Sequence, residues 1–271
     1  MDSCLVGSEM CIRDSHQLLD TIRRFVRNRL MPLEEQVAST DQIPESVISE
    51  MRELGLFGLT IPEEYGGLGL NTEEECKVAI ELGYTSAAFR SVIGTNNGIG
   101  SQGLVMDGTD DQKENYLPRL ASGEIIGSFA LTEPNVGSDS ANVQTKAEKD
   151  GDSYILNGTK RWITNANIAN LFTVFARTDQ SQKGSSGVSA FLVDANTPGI
   201  SLSSKYKKMG QQGAHVCDVI FDNCRVPEVN IIGGPNNVNN GFKTAMKTLD
   251  RGRIHISAFA VGCAKRLIEV S

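Results

Sequence analysis

Apolar positions recur at helical spacing near both ends of the chain and at strand spacing between them. Leu18, Ile22, Phe25, Val26 and Leu30 fall three or four residues apart, the stripe of an amphipathic helix that Pro32 is expected to end. Pro44 opens a second helix, with Val47, Ile48, Met51 and Leu54 inward and Gly55 as its stop. Asn71-Thr-Glu-Glu74 and Thr109-Asp-Asp-Gln112 have capping-box spacing and predict two further helix starts. From Ile125 to about Val229, short β-branched and aromatic runs alternate with turn signals. Lys149-Asp-Gly-Asp152 and Asn157-Gly158 are the strongest of these and read as hairpin turns. Helical spacing returns from Gly241 through Phe242, Met246, Leu249, Ile254 and Ile256. The pattern therefore predicts helices, a compact β unit, then helices again.

Composition narrows the class. Hydrophobic residues at 39% and charged residues at 22% describe a globular chain of one large or two modest domains. A net charge of −7 argues against nucleic acid or an anionic membrane surface as the main partner. No apolar run approaches the ~20 residues of a membrane span, so no membrane insertion is expected. The 6 cysteines show no CxxC spacing and no paired histidines, which favours neither a metal site nor a disulfide framework. The chain reads as reduced and intracellular. Gly98-Ile-Gly-Ser-Gln-Gly103 satisfies G-x-G-x-x-G, but no strand precedes it, so a dinucleotide-binding turn is rejected in favour of close helix packing. His16, His215 and His255 are scattered, and each is expected to be a surface or capping residue.

Candidate chemistry centres on residues 127–165. Trp162 is the single tryptophan and lies in a strand-like run beside Thr164, a pairing that suits a flat, heteroatom-rich ligand needing a stacked face and a hydrogen-bonded edge. Gly137-Ser138 lets backbone approach such a ligand closely. The alternative is a β-rich core in which the tryptophan is simply packed.

The order of several motifs resembles the acyl-CoA dehydrogenase family. Phe129-Ala-Leu-Thr-Glu-Pro-Asn-Val-Gly-Ser-Asp139 looks like its first flavin-binding signature, and Trp162-Ile-Thr164 like its second. Leu56 to Gly67, Gly108 to Lys113, Tyr116-Leu-Pro118, Lys208-Met-Gly210, Val219 to Asp222, Arg225-Val-Pro227, Gly241-Phe-Lys243 and Leu249 to Arg253 continue the likeness in the family's order. The resemblance implies an α+β chain: an N-terminal all-α domain over 16–124, a middle β-barrel flavin-binding domain over 125–235, and the first helix of a C-terminal α-helical bundle over 236–271. Gln211-Gln-Gly-Ala-His215 departs from the family's commoner pattern, so no contact is carried over there.

The resemblance also implies a chemistry. FAD would accept hydrogen removed across Cα–Cβ of an acyl-CoA thioester, giving a trans-2-enoyl-CoA, and an electron-transfer flavoprotein would take the electrons. Phe129, Ala130, Leu131, Thr132, Glu133, Pro134, Asn135, Val136, Gly137 and Ser138 would line the flavin, with Thr132 on its pyrimidine edge. Trp162, Ile163 and Thr164 would flank it, the Thr164 hydroxyl reaching N5. Ser138, Asp250, Arg251, Gly252 and Arg253 would contact the CoA thioester; alternatively Asp250 caps the last helix, which this reading starts near Asp250, and the arginines pair with carboxylates at a subunit contact. No metal is implied, and a homo-oligomer, dimer or tetramer, is expected, in the bacterial cytoplasm or the mitochondrial matrix. An oxidase or flavin monooxygenase of the same fold, or a non-catalytic flavin- or CoA-binding relative, are the alternatives.

Both ends carry an expectation. Residues 1–15 have no helical or alternating pattern, and one choice of codons for them spells a sequencing-library adapter, so they are read as an artefact. The family places its base glutamate late in the C-terminal domain or where this chain has Gly252. We therefore expect the base beyond residue 271, with a helical face of Phe242, Met246, Leu249 and Ile256 left for absent helices to cover.

Overall fold

The computed structural model describes residues 16–271; the adapter reading of residues 1–15 lies outside them. The first helix, α1 (16–25), does not stop at Pro32. It passes through a π-turn at Val26–Leu30 and a 3-10 turn at Met31–Leu33 into α2 (Glu34–Thr40). Proline removes its own amide bond and its ring crowds the carbonyl four residues back. The wider and tighter turns absorb that loss while Val26 and Leu30 stay buried. α3 (Glu45–Glu53) follows Pro44 and buries Val47 and Met51, as the spacing predicts. Both capping boxes form, at the starts of α4 (Thr72–Leu82) and α7 (Asp110–Ala121). Between them lie α5 (Ala87–Asn97) and the short α6 (Gln102–Asp107), with the Gly98–Gly103 run as a turn after a helix and no strand before it.

The β unit is one curled seven-stranded sheet. Its strands are β1 (Gly127–Ala130), β2 (Lys146–Asp150), β3 (Ser153–Thr164), β4 (Leu171–Arg177), β5 (Val188–Asp194), β6 (Ile200–Leu202) and β7 (Val216–Pro227). They run β1-β4-β2-β3-β7-β6, with β5 paired to β4, so hydrogen bonds do not close the expected barrel among the described residues. The Asp150–Ser153 hairpin forms around Gly151 at φ 62°. Asn157-Gly158 is not a turn. Both flanks stay paired with β7, and the register shifts between Leu156 and Gly158, making a bulge. A Cβ at Gly158 would lie 2.5 Å from Thr145 Oγ1, so the glycine serves close strand contact rather than chain reversal.

Three apolar clusters hold the parts together. One joins α1–α5 to Ala258 and Phe259, one fills the sheet interior around Phe172, Phe191 and Phe221, and one packs α6 and α7 on the sheet through Leu117, Leu120 and Phe175. The last helix, α8 (Gly241–Glu269), starts nine residues before Asp250, which is therefore no cap. Phe242, Met246 and Leu249 pack against the third cluster and are not the exposed face expected for them. The exposed apolar positions are Ile254, Ile256, Val261, Leu267, Ile268 and Val270. Where α8 crosses α4 the backbones nearly touch. A Cβ at Gly83 would lie 2.3 Å from the Phe259 carbonyl oxygen, and one at Gly262 2.0 Å from that of Ile80. No described helix is long and apolar enough to cross a membrane, and the described residues contain no metal-binding cluster.

Candidate active site

β1 leads into the loop 131–138, whose shape is fixed from behind. The Glu133 carboxylate accepts hydrogen bonds from the backbone amides of Gln144 (2.7 Å) and Thr145 (2.9 Å) and from Lys160 Nζ (2.7 Å). Lys160 also donates to the Leu131 carbonyl at 3.1 Å, so this one side chain grips the loop twice. Lys160 is fully buried, and that burial draws its pKa down to about 8 despite the carboxylate beside it. Burial pushes Glu133 upward, but the Lys160 charge and the hydrogen bonds outweigh it and hold the carboxyl below its ordinary value.

β3 then bulges again. Its register against β7 shifts between Lys160 and Ile163, and Trp162 takes φ 57°. The Arg161 amide donates to the Thr132 carbonyl at 2.7 Å, and the Trp162 amide to Asp218 Oδ1 at 3.3 Å. Such a conformation in a non-glycine residue costs on the order of 1–3 kcal/mol and collects at ligand sites. Here it turns the indole outward, 59% exposed, which excludes the packed-core alternative. At the end of β3, Asn165 donates to the Ser91 carbonyl and to Thr95 Oγ1, both at 2.9 Å, and Ser128 Oγ donates to the Thr164 carbonyl at 2.6 Å. Thr164 is thereby set between the sheet and α5.

The result is a groove of about 370 Å³ lined by Phe129, Leu131, Thr132, Gly137, Ser138, Trp162, Ile163 and Thr164, with Ile99, Ser140, Leu249 and Arg253. Among the described residues the hydroxyls of Thr132, Ser138 and Thr164 have no intramolecular partner. Ile99, Thr164, Leu249 and Arg253 also line a second cavity of about 410 Å³. Its remaining walls come from α5 (Arg90, Ser91, Gly94, Thr95), the turn at Gly98, Glu75 on α4, Gln211, and Arg251, Gly252, His255 and Ile256 on α8.

Not every residue of the signatures faces the groove. Ala130, Glu133 and Val136 are buried, and Pro134 and Asn135 are exposed away from it. They shape the loop rather than line it. In 250–253, Arg253 lines both spaces and Gly252 the second, while Asp250 is exposed and pairs with Arg253. Arg251 turns inward to Glu75 (3.3 Å) and Gln102 (3.0 Å), an ion pair within the chain rather than at a subunit contact. His255 is not at the surface. It is 5% exposed and bridges Arg90 (3.0 Å) and Glu75 (2.9 Å). His215 does cap, since its Nε2 lies 2.8 Å from the carbonyl of Asp41, the residue closing α2. Sequence reasoning missed Glu75, Arg90, Gln211 and His255. Only Arg90 gave a signal, as the lone charge on the otherwise uncharged helix 87–97.

Comparison with known proteins agrees along most of the chain. The sequence model described as acyl-CoA dehydrogenase, N-terminal domain, matches residues 13–124, and that of the acyl-CoA dehydrogenase middle domain matches residues 128–224. Probable acyl-CoA dehydrogenase YngJ of Bacillus subtilis is 38% identical over 96% of this chain and 67% of its own length. The short-chain specific mitochondrial acyl-CoA dehydrogenase of Homo sapiens is 39% identical over 94% of this chain and 61% of its own. Among solved structures, a chain from work on the electron transferring flavoprotein of Acidaminococcus fermentans superposes with a TM-score of 0.88 at 37% identity, covering 93% of this chain and 66% of that one. An acyl-CoA dehydrogenase from Bacillus anthracis, complexed with FAD, gives 0.85 at 33% identity, covering 95% and 43%. The chain thus spans about two thirds or less of the length of these relatives. With the helical domain, the curled sheet and both signatures in the family's order, the chain belongs to the acyl-CoA dehydrogenase family.

Proposed function

We propose that the protein is an FAD-dependent acyl-CoA dehydrogenase, converting an acyl-CoA thioester to the trans-2-enoyl-CoA and passing electrons to an electron-transfer flavoprotein. The observation that carries this reading is the position of Thr164. Its unpartnered hydroxyl lies where a groove with an exposed indole meets a separate cavity walled by α5 and α8. A flat cofactor and an acyl chain need that pair of adjoining spaces.

The groove fits the cofactor. Trp162 offers an uncovered aromatic face, Thr132 and Ser138 offer hydroxyls along one edge, and a Cβ at Gly137 would meet nothing within 4 Å, leaving backbone open to approach. When bound, FAD supplies the two-electron acceptor for hydrogen removed at Cβ. The chain's own residues position and polarise. Thr164 donates at the junction, its backbone fixed by Ser128, while Ser138, Gly252 and Arg253 stand at the mouth, where the thioester and CoA would pass. Glu75 is the one carboxylate lining either space, and its oxygens are engaged by Arg251 and His255. A carboxylate held between an arginine and a histidine is a poor proton acceptor, so this reading expects the base outside the described residues.

Anaerobic bleaching of the flavin tests the reading. The protein expressed from its complete gene and loaded with FAD should bleach with acyl-CoAs, form enoyl-CoA and reduce an electron-transfer flavoprotein faster than it reduces oxygen. The 271-residue chain alone should show no sustained turnover. Turnover by that chain would place the base within it, and faster electron delivery to oxygen would point to an oxidase.

Trp162→Leu separates cofactor binding from packing. Because the ring is exposed, apo stability should change by less than about 0.5 kcal/mol. FAD should bind about tenfold more weakly, the upper range for a lost aromatic contact of roughly 0.5–1.5 kcal/mol. Flavin titration and thermal melting of the apo form read the two effects; a large stability loss with unchanged affinity would contradict this placement.

A further inference from the structure

The cavity behind Thr164 carries an excess positive charge that desaturation of a plain fatty acyl chain does not need. Five ionisable side chains line its wall; Arg253 is paired with Asp250, and the other four form one cluster: Glu75 on α4, Arg90 on α5, and Arg251 and His255 on α8. Their protonation follows from hydrogen-bond direction. Arg90 Nε donates to His255 Nε2 at 3.0 Å, and a guanidinium cannot accept, so Nε2 carries the lone pair. Nδ1 then bears the proton and donates to Glu75 Oε1 at 2.9 Å, which makes His255 neutral. The other carboxylate oxygen takes Arg251 at 3.3 Å. Two guanidinium charges face one carboxylate, leaving one positive charge uncompensated.

That charge is on Arg90. Arg251 has the Glu75 ion pair and a second bond to Gln102 at 3.0 Å, whereas Arg90 makes no ion pair among the described residues, and its two terminal nitrogens have no acceptor there. Burial draws its pKa down to about 10, with Glu75 pulling the other way, so it remains charged at neutral pH. Gly94, one turn along α5, keeps the space. A Cβ there would lie 2.9 Å from Arg90 Cζ. An under-compensated, half-buried guanidinium is costly unless an anion completes it, and its planar fork matches a carboxylate.

We infer that the acyl cavity accepts a thioester whose acyl chain ends in a carboxylate, with the terminal nitrogens of Arg90 as its recognition site. This rests on the dehydrogenase reading for the identity of the thioester but not for the anion preference. Arg90 is a specificity residue: it meets the far end of the acyl chain and takes no part in bond breaking.

Matched pairs of thioesters test it: hexanoyl-CoA against adipoyl-CoA, and pentanoyl-CoA against glutaryl-CoA. Calorimetric titration of the FAD-loaded protein, expressed from its complete gene, gives the ratio of dissociation constants within each pair whether or not turnover occurs. Steady-state assays give the ratio of kcat/KM. At least tenfold tighter binding of the ω-carboxylate member in one pair is expected; a smaller ratio in both pairs overturns the inference. Arg90→Gln should bring that ratio close to one and Arg90→Lys should restore part of it, with flavin content and melting temperature confirming the fold. If Arg90→Gln fails to fold, the ratios of the unaltered protein decide alone. If no thioester bleaches the flavin, the dehydrogenase reading fails, and the binding ratio still decides the anion preference.

Discussion

Glu133→Ala is expected to lower the unfolding free energy of the apo protein by about 3–5 kcal/mol, the usual cost of removing one partner from a buried ion pair. The loss has two parts. Lys160, fully buried, would have only the Leu131 carbonyl as a partner, and the amides of Gln144 and Thr145 would lose their acceptor. The effect should depend on pH in a defined direction. Lys160 already has a folded pKa of about 8 against an ordinary 10.5, so the unfolded chain binds more protons in that window and stability from this group rises with pH through it. Without Glu133 the folded pKa falls further, so the penalty should deepen as pH is lowered below 8. Urea unfolding at pH 6 and pH 9 measures both. A loss under 1 kcal/mol, or one that is larger at pH 9, would contradict the pairing described here. FAD retention should fall with stability, because the pair holds the loop that presents Thr132 and Ser138.

Thr164→Val should slow flavin reduction by acyl-CoA about 10²–10³-fold, the ~2.7–4 kcal/mol typically lost with one donor at a developing charge. The hydroxyl has no internal partner, so its removal leaves nothing unsatisfied. Valine suits a strand end, and the Ser128 contact is to the Thr164 backbone and survives. Stopped-flow bleaching in the protein expressed from its complete gene is the measurement, with circular dichroism to confirm an intact sheet. A rate within twofold of the parent would remove Thr164 from the chemistry.

What could be read from sequence was local. The capping boxes at Asn71 and Thr109 need only three residues of context, and both formed as expected. Local rules failed where distant packing opposed them. Pro32 was expected to end a helix that continues because the core holds Val26 and Leu30, and Asn157-Gly158 signals a turn that β7 pairing holds straight. The groove was legible because its residues come from two short ordered motifs. Its inner loop was not, since sequence could not say that Ala130, Glu133 and Val136 face away. The charge cluster was invisible because Glu75 and His255 are 180 residues apart and neither stands out among its neighbours. His255 was accordingly misjudged as a surface or capping residue.

The glycine contact between α4 and α8 limits how this pocket can diversify. Glu75 and His255 are carried by two helices whose main chains abut at Gly83 and Gly262, with no side chain between them to shrink or enlarge. Spacing between those helices is therefore not a quantity that substitution can tune by small steps; any side chain there pries the seam apart at once. Descendants of this sequence that change acyl preference are left with the opposite wall, where Ile99 lines the cavity from the turn after α5 rather than from a helix. Divergence should accumulate there, while Gly83 and Gly262 stay fixed in every lineage that keeps the cavity.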